Sequence, residues 1–139
     1  MTIPLSAREL VPLAADAARR AYAPYSRFRV GAAVQGEHGV YLGATVENAS
    51  PGLGLCAERA ALAAAVAAGE RRIVAIGLAC IDAAPNAGEQ ARVPCGACRQ
   101  WLMELAPDAE IAMLGMARAI PVRDLLPLAF RLKPPGTPP

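Results

Sequence analysis

Residues 94–107 read PCGACRQWLMELAP, and the architecture of the chain can be worked out from this stretch. It opens on proline, as helices often do, and closes on Pro107, which a helix does not run through. Before it stands RIVAIGLACI (72–81), continuously apolar and of strand length, and after it the short apolar run AEIAMLG (109–115). Both read as buried strands. The intervening DAAPNAGEQAR (82–92) is rich in proline, glycine and polar residues and reads as a loop. Strand, loop, helix and strand in succession point to an α/β fold, a single mixed β-sheet between helical layers.

Towards the N-terminus the pattern continues. CAERAALAAAVAAG (56–69) holds eight alanines in fourteen residues and ends on Gly69 where a helix C-cap is expected. FRVGAAVQ (28–35) and VYLGATVE (40–47) flank the turn tetrapeptide GEHG and read as a hairpin. LSARELVPLAADAARRAY (5–22) places Leu10, Leu13, Ala14, Ala17 and Ala21 at helical spacing, with Pro24 as its terminator. Towards the C-terminus, PVRDLLPLAF (121–130) reads as a weaker helix and KPPGTPP (133–139) as a mobile tail. One domain over residues 1–132 is the expected organisation for a chain of 139 residues.

Composition narrows the function classes. Fourteen basic against twelve acidic side chains leave a net charge of +2, and no basic run exceeds two residues, so an extended nucleic-acid track is not expected. The longest apolar stretches are nine residues, AALAAAVAA and IVAIGLACI, far short of the ~20 that span a bilayer. No secretory leader is visible in MTIPLSAREL, and the expected compartment is the reducing cytoplasm. Cysteines there are more often ligands, nucleophiles or core residues than disulfides.

Cys95 and Cys98, at i and i+3 in the first turn of a helix, can turn their sulfurs toward one ion, or can form a redox pair. A third cysteine, Cys56, also stands at a helix start. Three thiolates at two helix N-termini suit a zinc site with one open position, and a redox pair has no use for the third. Cys80, inside an apolar strand, reads as a small buried hydrophobe, and the sole histidine, His38, as an exposed turn residue. Without a fourth protein ligand the open position is the arrangement of a catalytic zinc. Glu58, two residues after Cys56, suits the first turn of a helix in any case, but from there it can also share a proton with a water at the metal.

CAE at 56–58 and PCGACRQ at 94–100 resemble the small zinc-dependent cytidine deaminases with three cysteine ligands. The similarity extends to YAPYSRFRVGAAV (22–34), VENA (46–49) and LLPLAF (125–130), in the family's order. It implies an α/β/α sandwich, Zn²⁺ on Cys56, Cys95 and Cys98, and hydrolytic deamination of cytidine and deoxycytidine with Glu58 moving the protons. It further implies that Arg59 hydrogen-bonds the ligand thiolates, offsetting the net negative charge of three thiolates on Zn²⁺. The backbone of Ala57 would hold the pyrimidine, Phe28 would pack on the base and Glu47 would bind the ribose hydroxyls. Phe130 would enter a neighbouring subunit's site in a homotetramer. The sequence departs from the family at Thr45, where asparagine is usual, and at Pro51, where tyrosine is frequent; both lie on the sugar side. The competing readings are a deaminase of another aminopyrimidine compound and a non-catalytic zinc module.

Overall fold

A computed structural model of the chain describes residues 3–137; the last two residues of the expected tail, 138 and 139, lie outside the described residues. The chain builds one five-stranded sheet. Helix α1 (Ala7–Ala18) is followed by β1 (Val30–Gly36), β2 (Val40–Ala44), α2 (Ala57–Ala67), β3 (Ile73–Cys80), α3 (Gly96–Leu105), β4 (Glu110–Met113) and β5 (Ile120–Pro121). The strand order is β2-β1-β3-β4-β5. β1 runs antiparallel to both β2 and β3, β3 and β4 are parallel, and β5 returns antiparallel to β4.

Strand periodicity sorts the side chains onto two faces. Ala33, Ala75, Ala79 and Ala112 pack with Ala7, Leu10 and Ala14 of α1. Ala32, Val34, Ile76, Leu78, Ile111 and Met113 form the opposite, larger core with α2 and α3. The helices lie very close to the sheet, and glycine makes this possible on both faces. A Cβ at Gly77 would fall 2.6 Å from the Leu10 carbonyl carbon, and one at Gly43 2.4 Å from the Ala57 oxygen. The mixed sheet with helices on both sides is therefore the architecture expected from sequence.

Helix starts follow the expected chemistry. Ser6 and Glu9 form a reciprocal capping box on α1, and Gly69 follows α2 at φ +103°. Helix α1 ends at Ala18 rather than near Pro24, because Tyr22 is drawn into a bridge with Val46, its N–H donating to the Thr45 carbonyl at 2.8 Å. The weaker helix expected over 121–130 does not form. Instead Ile120–Pro121 is a short strand, Val122–Leu125 a single 3-10 turn, and the chain beyond is irregular. Pro127 explains part of this, since it disfavours helical backbone at Leu126, which is non-helical at φ −146°, ψ 75°.

Candidate metal centre

The sheet gathers the right ends at one place. Because β1 is antiparallel to β2 and β3, its first residues lie beside the last residues of both neighbours: Val30 pairs with Cys80, and Gly31 with Ala44. Helix α2 starts from the loop leaving β2, and α3 from the loop leaving β3, so both N-termini arrive at this end of the sheet. Cys56 is the N-cap of α2, Cys95 the N-cap of α3, and Cys98 follows in its first turn. A reciprocal pair of backbone bonds between Val46 and Leu55, 2.9 and 2.8 Å, forms an antiparallel bridge that sets Thr45 opposite Cys56 and Glu47 opposite Gly54.

The sulfurs of Cys56, Cys95 and Cys98 all lie within 4.8 Å of one another, the only such cluster of possible metal ligands among the described residues. The Cys56 and Cys95 sulfurs are 3.9 Å apart. A tetrahedral zinc with Zn–S bonds of about 2.3 Å requires sulfurs separated by about 3.8 Å. The Cys56–Cys95 separation therefore suits a shared ion, with the Cys98 sulfur no more than 4.8 Å from either, and both helix N-termini favour the negative charge the thiolates bring. His38 lies apart, its largely exposed ring 3.3 Å from Glu70. All four cysteines are free thiols.

Electrostatics at the cluster follow from these contacts. The hydrogen bond from Cys98, with help from Arg59 and Cys95, pulls the Cys56 thiol down to about 5 against the opposing effect of burial. Cys98 shifts the other way, because it shares its proton with Cys56 and is buried. Arg59 donates from Nη2 to the Cys56 sulfur at 3.4 Å, the contact expected of it. Its Nε is buried without a partner.

Glu58 is 4% exposed. Burial first, and the charge on Cys56 second, push its carboxyl up to about 7. Its charge also raises Cys98 and Cys80, so the carboxylate lies near both the thiol cluster and the end of β3. A group ionising near neutrality beside three thiols that could hold a metal ion is suited to accept and return a proton. Cys80 is buried as expected, but it is the last residue of β3 rather than a mid-strand residue, and burial pushes its thiol up to about 11. It stays out of the ligand cluster.

Ala57, fully buried, is the first residue of α2. Phe28, half-buried, precedes β1. Glu47 accepts the Tyr25 and Ser26 N–H groups on Oε1, at 3.0 and 3.2 Å, and hydrogen bonds from Ser26 and Tyr25 hold its carboxyl below its ordinary value. Thr45 turns its hydroxyl toward the Val30 carbonyl at 3.4 Å. Phe130 is set apart from its own chain's thiols: 67% exposed, it lies beside Met103 and Glu104 in the second half of α3. Sequence reading passed over Arg99, although it directly follows Cys98. Its guanidinium donates to the carbonyls of Pro94 at 2.8 Å and Leu125 at 2.9 Å, and Gln100 donates to that of Phe130 at 2.9 Å. Helix α3 thus carries two of the three clustered thiols and anchors the C-terminal segment.

Residues 5–114 match the family described as the cytidine and deoxycytidylate deaminase zinc-binding region. A cytidine deaminase of Halalkalibacterium halodurans is 44% identical over 126 residues, covering 87% of this chain and 91% of that protein. A cytidine deaminase of Mycobacterium tuberculosis is 44% identical over 120 residues, covering 86% and 85%. Among solved structures, the cytidine deaminase from Burkholderia pseudomallei superposes with a TM-score of 0.78 at 44% identity, over 91% of this chain and all of that one.

Proposed function

The chain belongs to the family of that cytidine and deoxycytidylate deaminase zinc-binding region, and on this premise we propose that it hydrolyses cytidine and deoxycytidine to uridine and deoxyuridine, releasing ammonia. One observation carries the reading: three cysteine sulfurs within bonding reach of one ion, with a buried carboxyl beside them. When bound by Cys56, Cys95 and Cys98, zinc supplies a Lewis acid that activates water for attack at C4. The chain's own groups do the rest.

Glu58 takes the proton from the attacking water and delivers it to N3. A second transfer to the exocyclic nitrogen lets the C4–N bond break once the C4–O bond has formed, and ammonia leaves. Its carboxyl, pushed up to about 7 by burial, is matched to both directions of transfer near neutral pH. Arg59 draws negative charge from Cys56 through its hydrogen bond, which favours activation of water at the metal. The Ala57 backbone holds the pyrimidine edge, and Phe28 packs on the base. Glu47 keeps Oε2 for the ribose hydroxyls while Oε1 is held by backbone N–H groups. Thr45 contributes little to the sugar beyond a shared hydroxyl.

The catalytic unit spans residues 1–132, and the active assembly is a homotetramer in which Phe130 completes a neighbour's site. Exposure of Leu128, Phe130 and Leu132 on one segment supports this, as such a concentration of apolar surface calls for a covering partner. The free thiols and the absence of any helix long and apolar enough to cross a membrane among the described residues accord with a cytoplasmic enzyme of nucleoside salvage. Zinc analysis followed by ammonia release from cytidine, deoxycytidine, cytosine, CMP and adenosine tests the reading. Turnover confined to the two nucleosides supports it, and preference for another aminopyrimidine compound refutes it.

A further inference from the structure

The turn that carries Phe28 is tied down at both ends. At its start, the Tyr25 and Ser26 N–H groups donate to Glu47 Oε1, and the Ser26 hydroxyl accepts the Phe28 N–H at 3.0 Å. At its end stands an ion pair that the metal chemistry does not use. Asp82 Oδ2 accepts the Arg29 backbone N–H at 2.8 Å and the Arg29 Nε–H at 2.9 Å, while Oδ1 accepts Nη2 at 2.8 Å. The Ile81 N–H closes the arrangement onto the Arg29 carbonyl at 3.2 Å. This bidentate contact drives the Asp82 carboxyl down to about 2.

Between the anchors, Arg27 adopts φ +55°, a left-handed conformation that non-glycine residues seldom take. A turn containing such a residue persists only where its surroundings over-determine it. Asp82 stands two residues beyond Cys80, the last residue of β3, which pairs with Val30 and borders Glu58. The anchor therefore ties the turn to the end of β3, a strand paired on both sides within the sheet.

We infer that Asp82 and Arg29 are positioning residues for substrate recognition, locking the turn that presents Phe28 to the base and braces Glu47 for the sugar. The inference rests on the deaminase reading above and adds to it a pair outside the reacting groups. Preorganisation of a binding turn removes an ordering cost otherwise charged to the substrate. Phe28 and Glu47 touch parts of the substrate that do not change in the reaction, so loosening them weakens ground state and transition state alike and appears in KM.

The test uses the zinc-loaded, full-length protein and steady-state deamination of cytidine. Asp82→Ala, which removes both carboxylate acceptors of the clamp, is expected to raise KM about 10-fold while kcat stays within about 2-fold and zinc content is unchanged. Arg29→Ala keeps the backbone N–H on Asp82 and gives a smaller rise; Arg29→Lys, with a point charge in place of the fork, falls between Arg29→Ala and the unmodified protein. A merely structural role would lower the active fraction, and with it apparent kcat and zinc, at constant KM. That pattern, or an unaltered KM in both alanine variants, overturns the inference while leaving the deaminase reading intact. Absence of turnover in the unmodified zinc-loaded protein overturns the deaminase reading, and this inference with it.

Discussion

Replacing Gly43 by alanine tests whether the close approach of α2 to the sheet is what places the reacting groups. Gly43 lies in β2 opposite Ala32, and a Cβ there would stand 2.4 Å from the Ala57 carbonyl oxygen and 2.4 Å from the Ala61 nitrogen, both backbone atoms of α2. Ordinary contact begins near 3.4 Å, so the first turn of α2 must retreat by about 1 Å. That turn holds Cys56 at its cap, then Ala57, Glu58 and Arg59. A 1 Å misplacement at a reacting centre costs about 100-fold in rate. Overpacking also costs about 1–3 kcal/mol of stability, or roughly 3–12 °C in Tm for a chain of this size.

Gly77→Ala is the matched control. Its Cβ would meet Leu10 of α1 at a similar 2.6 Å, on the opposite face of the sheet. Both variants are expected to lose comparable stability by thermal melting, but only Gly43→Ala should lose kcat/KM for cytidine by about two orders of magnitude when assayed well below its Tm. Equal activity losses in the two variants, or full activity in Gly43→Ala, would refute the claim that the backbone of α2 sets the site.

Three other outcomes are expected. Cys95→Ser and Cys98→Ser should lose zinc by metal analysis, whereas Cys80→Ala, outside the cluster, should retain both zinc and turnover; metal release from Cys80→Ala would contradict the ligand set. Thr45→Asn should raise kcat/KM for cytidine by about 2- to 13-fold, the value of one neutral hydrogen bond of about 0.5–1.5 kcal/mol, and Glu47→Ala should lower it by a larger factor. At buried Glu70, burial opposes ionisation, but N–H donors from His38 and Glu37 and the Tyr41 hydroxyl outweigh it and hold the carboxyl below its ordinary 4.5. A depressed folded value stabilises the protein above pH 4.5 and loses that contribution as pH falls through it. Acid unfolding of Glu70→Gln should accordingly show a weaker pH dependence below pH 4.5 than the unmodified protein; an identical slope would argue against it.

The sequence exposed most clearly those features that depend on short-range chemistry. The alanine-rich helix with Gly69 beyond it, the continuous apolar run of β3 and the paired CAE and PCGAC motifs each carry their reason within a few residues. The segment 121–130 departs from the expected weaker helix because its contacts are tertiary. Val122 and Leu125 bury themselves against the sheet and α3, Arg99 takes the Leu125 carbonyl, and Leu128 turns left-handed at φ +53°. None of these partners is local. The end of α1 was misplaced for the same reason, since the bridge from Tyr22 to Val46 crosses 24 residues. The Arg29–Asp82 clamp spans 53 positions and no short motif announces it. What the sequence could not supply, in each case, was the partner on a distant element.

The central claim is that a three-thiolate zinc site and Glu58 together deaminate cytidine. It is tested most directly by measuring zinc per chain and ammonia release from cytidine for the unmodified protein and for Glu58→Gln. The account predicts equal zinc in both, since Glu58 lies outside the ligand cluster, with turnover in the unmodified protein and a loss of at least about 100-fold in kcat for the variant. Zinc lost along with the carboxylate, or turnover by Glu58→Gln close to that of the unmodified protein, would contradict it.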